Sequence, residues 1–192
     1  MKVELLRVTE RPEELIEEAG RTCYKSQVGD STIIQRWIKS GHLSILEHAS
    51  ATFKIYEVSR TLTHQLVRHR TGKFSQQSQR YVSEEQFEYI IPNSIAEDEY
   101  LYGIYKESMK SLNDLYAHLV SKGVKKEDAR FVLPNSCHTE IVCTFDFRNL
   151  RHFFELRLDK HSQWEIRKLA NYMLSLVKPK APNVFYDMEV SE

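Results

Sequence analysis

Five cations stand between Val58 and Ser83 with no aspartate or glutamate among them: Arg60, Arg68, Arg70, Lys73 and Arg80, interleaved with His64 and His69. The whole chain balances 27 basic against 27 acidic residues. An acid-free basic stretch inside a neutral chain concentrates positive potential and favours an anionic ligand. Arginines predominate, and the guanidinium fork matches phosphate oxygens two at a time. Ser75, Gln76, Gln77, Ser78 and Gln79 add polar groups able to read a ligand's hydrogen-bonding edges. The apolar residues here are too few for the stretch to serve mainly as core. The plain alternative is a solvated basic face, or arginines paired with carboxylates from elsewhere in the fold. A second group gathers Arg148, Arg151, His152 and Arg157, followed by Asp159, Lys160, His161, Gln163 and Trp164. Arg148 and His152 are four apart and share a helix face, whereas Arg157 points elsewhere. Glu155 and Asp159 make surface salt bridging an equal alternative for this group.

Other chemistries lack their residues. There is no GxGxxG and no P-loop, so neither a Rossmann-type FAD site nor a nucleoside-triphosphate cradle is expected. His42 and His48 are six apart and His64 and His69 five apart; neither is a helical metal pair, no cysteine cluster completes a site, and no metal is expected. Cys23, Cys137 and Cys143 form an odd count without CxxC spacing, which fits a reduced cytoplasm. Cys137 adjoins His138, but neighbours on a strand point to opposite faces, so the couple is a poor nucleophile–base pair. No apolar run approaches the ~20 residues of a membrane span, and the N-terminus has no secretory h-region. A cytoplasmic protein away from membranes is therefore expected. The aromatics from Tyr100 to Tyr116 read as core or subunit interface, and Trp164 as helix packing.

The elements that must position these residues are mixed. The 192 residues, 41% hydrophobic and 28% charged, suit one soluble domain over 1–192. A strand is expected over 1–7, then a helix over 12–23 with Pro12 in its first turn. Asp30 or Ser31 is expected to cap a helix carrying Ile34, Trp37 and Ile38 on one face, with Gly41 as its stop. Ala51, Phe53 and Ile55 alternate with polar neighbours as in a half-buried strand. A helix follows over 59–68, then a polar turn at Thr71-Gly72-Lys73. Met109, Leu112, Leu115, Tyr116 and Leu119 recur at helical spacing within a long helix over 95–122, which Gly123 stops. A short helix over 125–132, a strand over 138–145 with Ile141 and Cys143 on one face, and helices over 147–158 and 163–177, the second ended by Pro179, complete the chain. Without a regular βαβ rhythm, this order favours α+β.

The first cluster resembles the signature of flavin-dependent thymidylate synthases: Arg68-His69-Arg70, seven positions, then Ser78, with Arg80 and Tyr81 following. Three further blocks resemble the family in order: Gly41-His42-Leu43-Ser44 with Glu47-His48; Ala129-Arg130-Phe131-Val132-Leu133-Pro134; and Asp146-Phe147-Arg148 through His152 and Arg157 to His161-Ser162-Gln163-Trp164-Glu165. The resemblance implies a central, mainly antiparallel sheet packed with helices, and methylation of dUMP to dTMP. It further implies methylene-tetrahydrofolate as carbon donor, FAD reduced by NADPH as hydride source, and a homotetramer with active sites between subunits. By position, Ser44, Arg68, His69, Arg70, Gln76, Asp146, Phe147, Arg148 and His152 would contact FAD. Gln65, Leu66, Val67, Arg68, Gln76, Gln77, Ser78, Gln79, Arg80 and Arg130 would approach dUMP, and Arg157 would face the uracil ring and favour its ionisation at N3. The family more often has serine at position 73, asparagine and glutamate at 75 and 76, and asparagine at 146. The rival from another class is a single-stranded nucleic-acid-binding module, with the Arg60–Tyr81 stretch tracking a backbone and Phe74 and Tyr81 stacking on bases. It leaves the downstream blocks and the neutral charge unexplained, so no nucleic-acid partner is expected.

Overall fold

The computed structural model describes residues 1–24 and 32–190. In chain order its elements are β1 (Lys2–Val8), α1 (Pro12–Tyr24), α2 (Ile33–Lys39), a 3-10 segment (Leu43–His48), β2 (Ser50–Ser59), α3 (Arg60–Leu66), β3 (Lys73–Gln76), α4 (Asn93–Ala96), α5 (Glu99–Ser121), α6 (Lys126–Ala129), a 3-10 turn (Arg130–Val132), β4 (His138–Asp146), α7 (Phe147–Arg157), α8 (Trp164–Val177) and a last 3-10 turn (Lys178–Lys180). The four strands form one antiparallel sheet in the order β1-β2-β4-β3, and the class is α+β as expected.

Local chemistry accounts for most boundaries. Gly41 adopts φ +82°; its N–H donates to Ile38 O at 3.0 Å and the His42 N–H to Trp37 O at 2.9 Å. This is the left-handed glycine stop that closes α2. Gly123, at φ +84°, closes α5 in the same way, its N–H on Val120 O at 2.9 Å and the Val124 N–H on Leu119 O at 3.1 Å. The caps proposed for α2, Asp30 and Ser31, lie outside the described residues. The long helix expected over 95–122 is broken. Asp98 has extended dihedrals and its carboxylate accepts the Leu101 N–H at 3.0 Å, so it starts α5 afresh. Along α5 only Met109 and Tyr116 are buried, while Leu115 is exposed. Pro179 ends α8 but permits one more 3-10 turn, in which it occupies an early position with no N–H to satisfy. β3 was not expected: it is short, alternates between half-buried and exposed, and carries one large apolar residue, Phe74.

The chain forms two compact units. The first comprises Met1–Ile55, Gln65–Ser75 and Val142–Glu192. Phe53 and Ile55 of β2, Phe145 of β4, Phe147, Phe153 and Phe154 of α7, and Leu169 and Met173 of α8 are fully buried in it. Each such side chain contributes about 1.5–3 kcal/mol through burial. α7 is fixed at both ends of its buried face. Its first residue gives its N–H to Ala49 O at 2.9 Å. Arg151, buried in the helix, donates to both Asp187 oxygens at 2.7 and 2.8 Å and to the Val184 carbonyl. The second unit comprises Tyr56–His64 and Gln76–Ile141. Phe87, Met109 and Cys137 form its core cluster, flanked by Tyr89, Tyr105, Leu112 and Leu133. Among the described residues no helix is long and apolar enough to cross a membrane.

Candidate active site

In the first unit the signature triplet follows α3 as a turn, with the His69 N–H donating to Leu66 O at 3.1 Å and the Gly72 N–H to His69 O at 2.9 Å. Gly72 is required here for space. A Cβ on it would lie 2.6 Å from Phe145 Cε1 and 2.6 Å from Phe74 Cζ. The turn that follows the triplet is thereby pressed against side chains of β3 and β4. The three triplet residues then differ sharply. Arg68 and Arg70 are exposed, and neither guanidinium bonds to another described residue. His69 is half-buried, with its ring edge-on to Phe153 at 5.0 Å. Its Nε2 accepts a hydrogen bond from Arg157 Nε at 2.9 Å. Burial, then the Arg157 charge, then His152, push its pKa down to about 4. His69 is therefore neutral at physiological pH. Since guanidinium has no acceptor, the bare nitrogen is Nε2 and the proton sits on Nδ1.

A cavity of about 520 Å³ lies beside α7 in this unit, lined in part by Leu46, Thr71, Asp146, Arg148, Arg151 and His152. Three of the expected cofactor contacts, Asp146, Arg148 and His152, thus share one wall. Arg148 donates to Glu47 at 2.5 Å, so its charge is half-neutralised at the rim. Asp146 is the N-cap of α7: one oxygen accepts the Asn149 N–H at 2.9 Å and the other the Asn149 amide at 2.6 Å. His152 is exposed, with Glu155 3.7 Å away. Ser44, in the 3-10 segment, is exposed, as is Val67, while Gln65 is half-buried. Leu66 and Phe147 are fully buried in the core. Neither exposes side-chain or main-chain surface to a ligand.

The remaining expected substrate residues lie in the second unit. Gln79 and Arg130 line a cavity of about 320 Å³ with Arg60, His64, Phe131, Leu133, Pro134 and Asn135. Arg130 Nε donates to Glu127 O at 3.0 Å, and Arg80 pairs with the Glu127 carboxylate at 3.1 Å. Ser78 Oγ accepts the Arg80 N–H at 3.3 Å. Gln77 gives its N–H to Glu140 O at 2.9 Å, and its carbonyl accepts from Arg60 at 2.8 Å. Gln76 donates to Thr63 at 3.0 Å and Thr139 at 3.2 Å.

The sequence had counted Arg60 in the basic stretch without giving it a role. It lines the cavity, and among the described residues neither its buried Nε nor Oε1 of buried Glu84 has a hydrogen-bond partner. Burial lowers the pKa of Arg60 and raises that of Glu84. Only the lack of acids around Arg60 in sequence hinted at this; Glu84 stands just past the acid-free stretch. Glu47, the partner of Arg148, was legible only as part of the block after Gly41. Trp164 is 38% exposed, where packing under α8 was expected.

Cys137 and Cys143 are buried, and burial pushes both thiols up to about 12, so neither is a thiolate at neutral pH. Among the described residues no group of three His, Cys, Asp or Glu side chains could hold a metal ion.

The arrangement therefore offers two arginines unpaired among the described residues, a neutral imidazole holding a third, and a polar cavity beside a helix start. That is equipment for an anionic ligand and for charge developing on a ring. The family model described as thymidylate synthase complementing protein matches residues 4–183. A flavin-dependent thymidylate synthase of Geobacter sulfurreducens is 44% identical over 200 residues, covering 97% of this chain and 86% of that protein. One of Clostridium tetani is 41% identical, covering 96% and 85%, and one of Pyrococcus furiosus 42% identical, covering 91% and 78%. With the signature triplet, the downstream arginine it holds and a match over nearly the whole length, the chain belongs to the flavin-dependent thymidylate synthase family of enzymes.

Proposed function

We propose that this chain methylates dUMP to dTMP, with methylene-tetrahydrofolate as carbon donor and FAD, reduced by NADPH, as hydride source. The observation that carries the reading is the Arg157 Nε to His69 Nε2 bond of 2.9 Å. It joins the family triplet to the arginine expected at the uracil ring, 88 residues away. The cavity residues fit a flavin dinucleotide: Arg148 suits its diphosphate, and Thr71, Asn149 and His152 its polar edges; exposed Arg68 and Arg70, outside the cavity lining, add cations for the same anion. When bound, FAD supplies the hydride that completes the methyl group. The protein's own work is placement and electrostatics.

Carbon transfer to C5 needs an electron-rich ring. A thiolate adding to the ring is one route, but the thiols of Cys137 and Cys143 are held protonated. Arg157 offers the other. With Nε engaged by His69, its Nη groups have no partner among the described residues and are free to stabilise negative charge as N3 ionises. A charge-assisted hydrogen bond of this kind contributes on the order of 1.5–3 kcal/mol. Expressed only in the transition state, that is about 10–100-fold in rate. Gln77, Ser78, Gln79, Arg80 and Arg130 would hold the nucleotide.

The reading includes a single catalytic domain, a cytoplasmic location and a homotetramer with active sites between subunits. Exposed Tyr100, Leu101 and Ile104 of α5, with Phe131 at 84% exposure, support such an interface. The test is spectroscopic and catalytic. Purified protein should bind FAD, change the flavin spectrum when dUMP is added, and form dTMP with methylene-tetrahydrofolate and NADPH. A protein that ignores FAD at high concentration refutes the reading. Sedimentation should find a tetramer; an active monomer would refute the shared sites.

A further inference from the structure

The histidine of the triplet does something its two neighbours cannot. We propose that His69 is a positioning residue for Arg157: its imidazole accepts the guanidinium Nε–H and leaves both Nη groups free for the substrate. The inference rests on the reading that Arg157 acts on the uracil ring.

Three features of the geometry carry it. The bond is 2.9 Å long, and its direction is fixed by chemistry, because an arginine donates at every nitrogen and accepts at none. An imidazolium in that place would set two donors against each other. The histidine is also braced from both sides. Its N–H and C=O are held by Leu66 and Gly72, at 3.1 and 2.9 Å. Its ring abuts Phe153, itself stacked on Phe145 at 5.8 Å. Finally, the titratable groups facing the ring, Arg157 and His152, both come from α7 and both disfavour a second proton on it. A short side chain on a braced backbone thus fixes the plane of a long, flexible one, and little rotamer freedom remains to be lost when substrate binds.

The test compares His69→Leu, which has no acceptor, His69→Gln, whose amide oxygen reaches about as far as Nε2, and Arg157→Lys, with the His69→Leu/Arg157→Lys double variant. dTMP formation is followed at saturating FAD, with bound flavin quantified for each protein. Histidine ring nitrogens are read by 15N NMR of the unsubstituted protein and of Arg157→Lys. His69→Leu should lower kcat about 10–100-fold with a smaller change in KM for dUMP. His69→Gln should recover most of that loss. In the Arg157→Lys background His69→Leu should cost little more, since the two residues act as a unit. The His69 ring should carry its proton on Nδ1, and its signal should shift when Arg157 is replaced. A normal kcat in His69→Leu beside a slow Arg157→Lys overturns the positioning role and leaves the reading of Arg157 intact. A loss that merely tracks missing flavin, or a proton found on Nε2, overturns it too. Normal turnover in Arg157→Lys overturns the reading of Arg157 itself.

Discussion

Gly72→Ala should loosen the signature triplet without touching any of its side chains. The added Cβ would lie 2.6 Å from Phe145 Cε1, 2.6 Å from Phe74 Cζ and 2.7 Å from Phe145 Cζ. Carbon atoms pack comfortably at about 3.5–4.0 Å, so something must move by roughly 1 Å. Phe145 cannot easily yield: it is fully buried, edge-on to Phe74 at 5.7 Å and stacked on Phe153 at 5.8 Å. Overpacking of this kind costs about 1–3 kcal/mol. Alanine returns about 0.4–1 kcal/mol by restricting the unfolded chain, since Gly72 does not need a left-handed φ. The net loss should be up to about 2.6 kcal/mol, and the strain should fall on the triplet, either by lifting it or by shifting Phe153 beneath His69. Gly103→Ala is the matched control, because a Cβ there meets nothing within 4 Å. In the middle of α5 it should stabilise by about 0.5–1 kcal/mol. Urea denaturation of both variants, with an FAD titration of each, checks the reasoning. Gly72→Ala should unfold earlier and bind FAD more weakly, and Gly103→Ala should do neither. A Gly72→Ala protein as stable as Gly103→Ala, with unchanged FAD affinity, would refute the close-packing account.

Arg151→Met should strand Asp187 and release the C-terminal segment from α7. Because that carboxylate is partly exposed, the cost should be about 1–3 kcal/mol, measured by the urea midpoint; an unchanged midpoint would deny the clamp. Arg151 holds the Asp187 carboxyl below its ordinary range, so its stabilisation is present above the unfolded value of about 3.9 and is lost as pH falls through the depressed one. Acid unfolding of Arg151→Met should be correspondingly less steep below pH ~4. His69, lowered from 6.5 to about 4, takes up its proton more readily in the unfolded chain. Its contribution is whole above pH 6.5 and drains away toward pH 4, and His69→Gln should flatten stability across that window. Iodoacetamide on native protein should label exposed Cys23 and spare buried Cys137 and Cys143, with dTMP formation unaffected. Inactivation that follows labelling of Cys137 would reopen a thiolate mechanism.

The pattern of apolar residues was enough for α2, β2 and β4, because each buries one regular face against the core. The two glycine stops were legible because a left-handed residue is a local need. What the sequence hid is what depends on distant partners. β3 carries one large apolar side chain and gains its place from the sheet rather than from its own pattern. Asp98 looks like any helical surface acid until its dihedrals make it a cap. The pairing of Arg148 with Glu47 spans 101 residues and that of Arg157 with His69 spans 88, and no spacing rule reaches so far.

The basic stretch gives the sharpest case, because charge count and usable charge differ there. Of its five cations, Arg80 is taken by Glu127. Arg60 is half-buried, with Gln77 O as its acceptor and Glu84 as an opposing charge. Lys73 turns back onto the Thr71 carbonyl at 3.2 Å. The plain alternative, arginines paired within the fold, is therefore right for Arg80 and wrong for the triplet. Among the described residues Arg68 and Arg70 remain unpaired, flanking a histidine that burial keeps neutral. A charged His69 would repel Arg157, and a third arginine in its place could not accept a hydrogen bond. The order Arg-His-Arg is thus read as two cations for a ligand's anionic groups, with a lone pair between them for the arginine of α7.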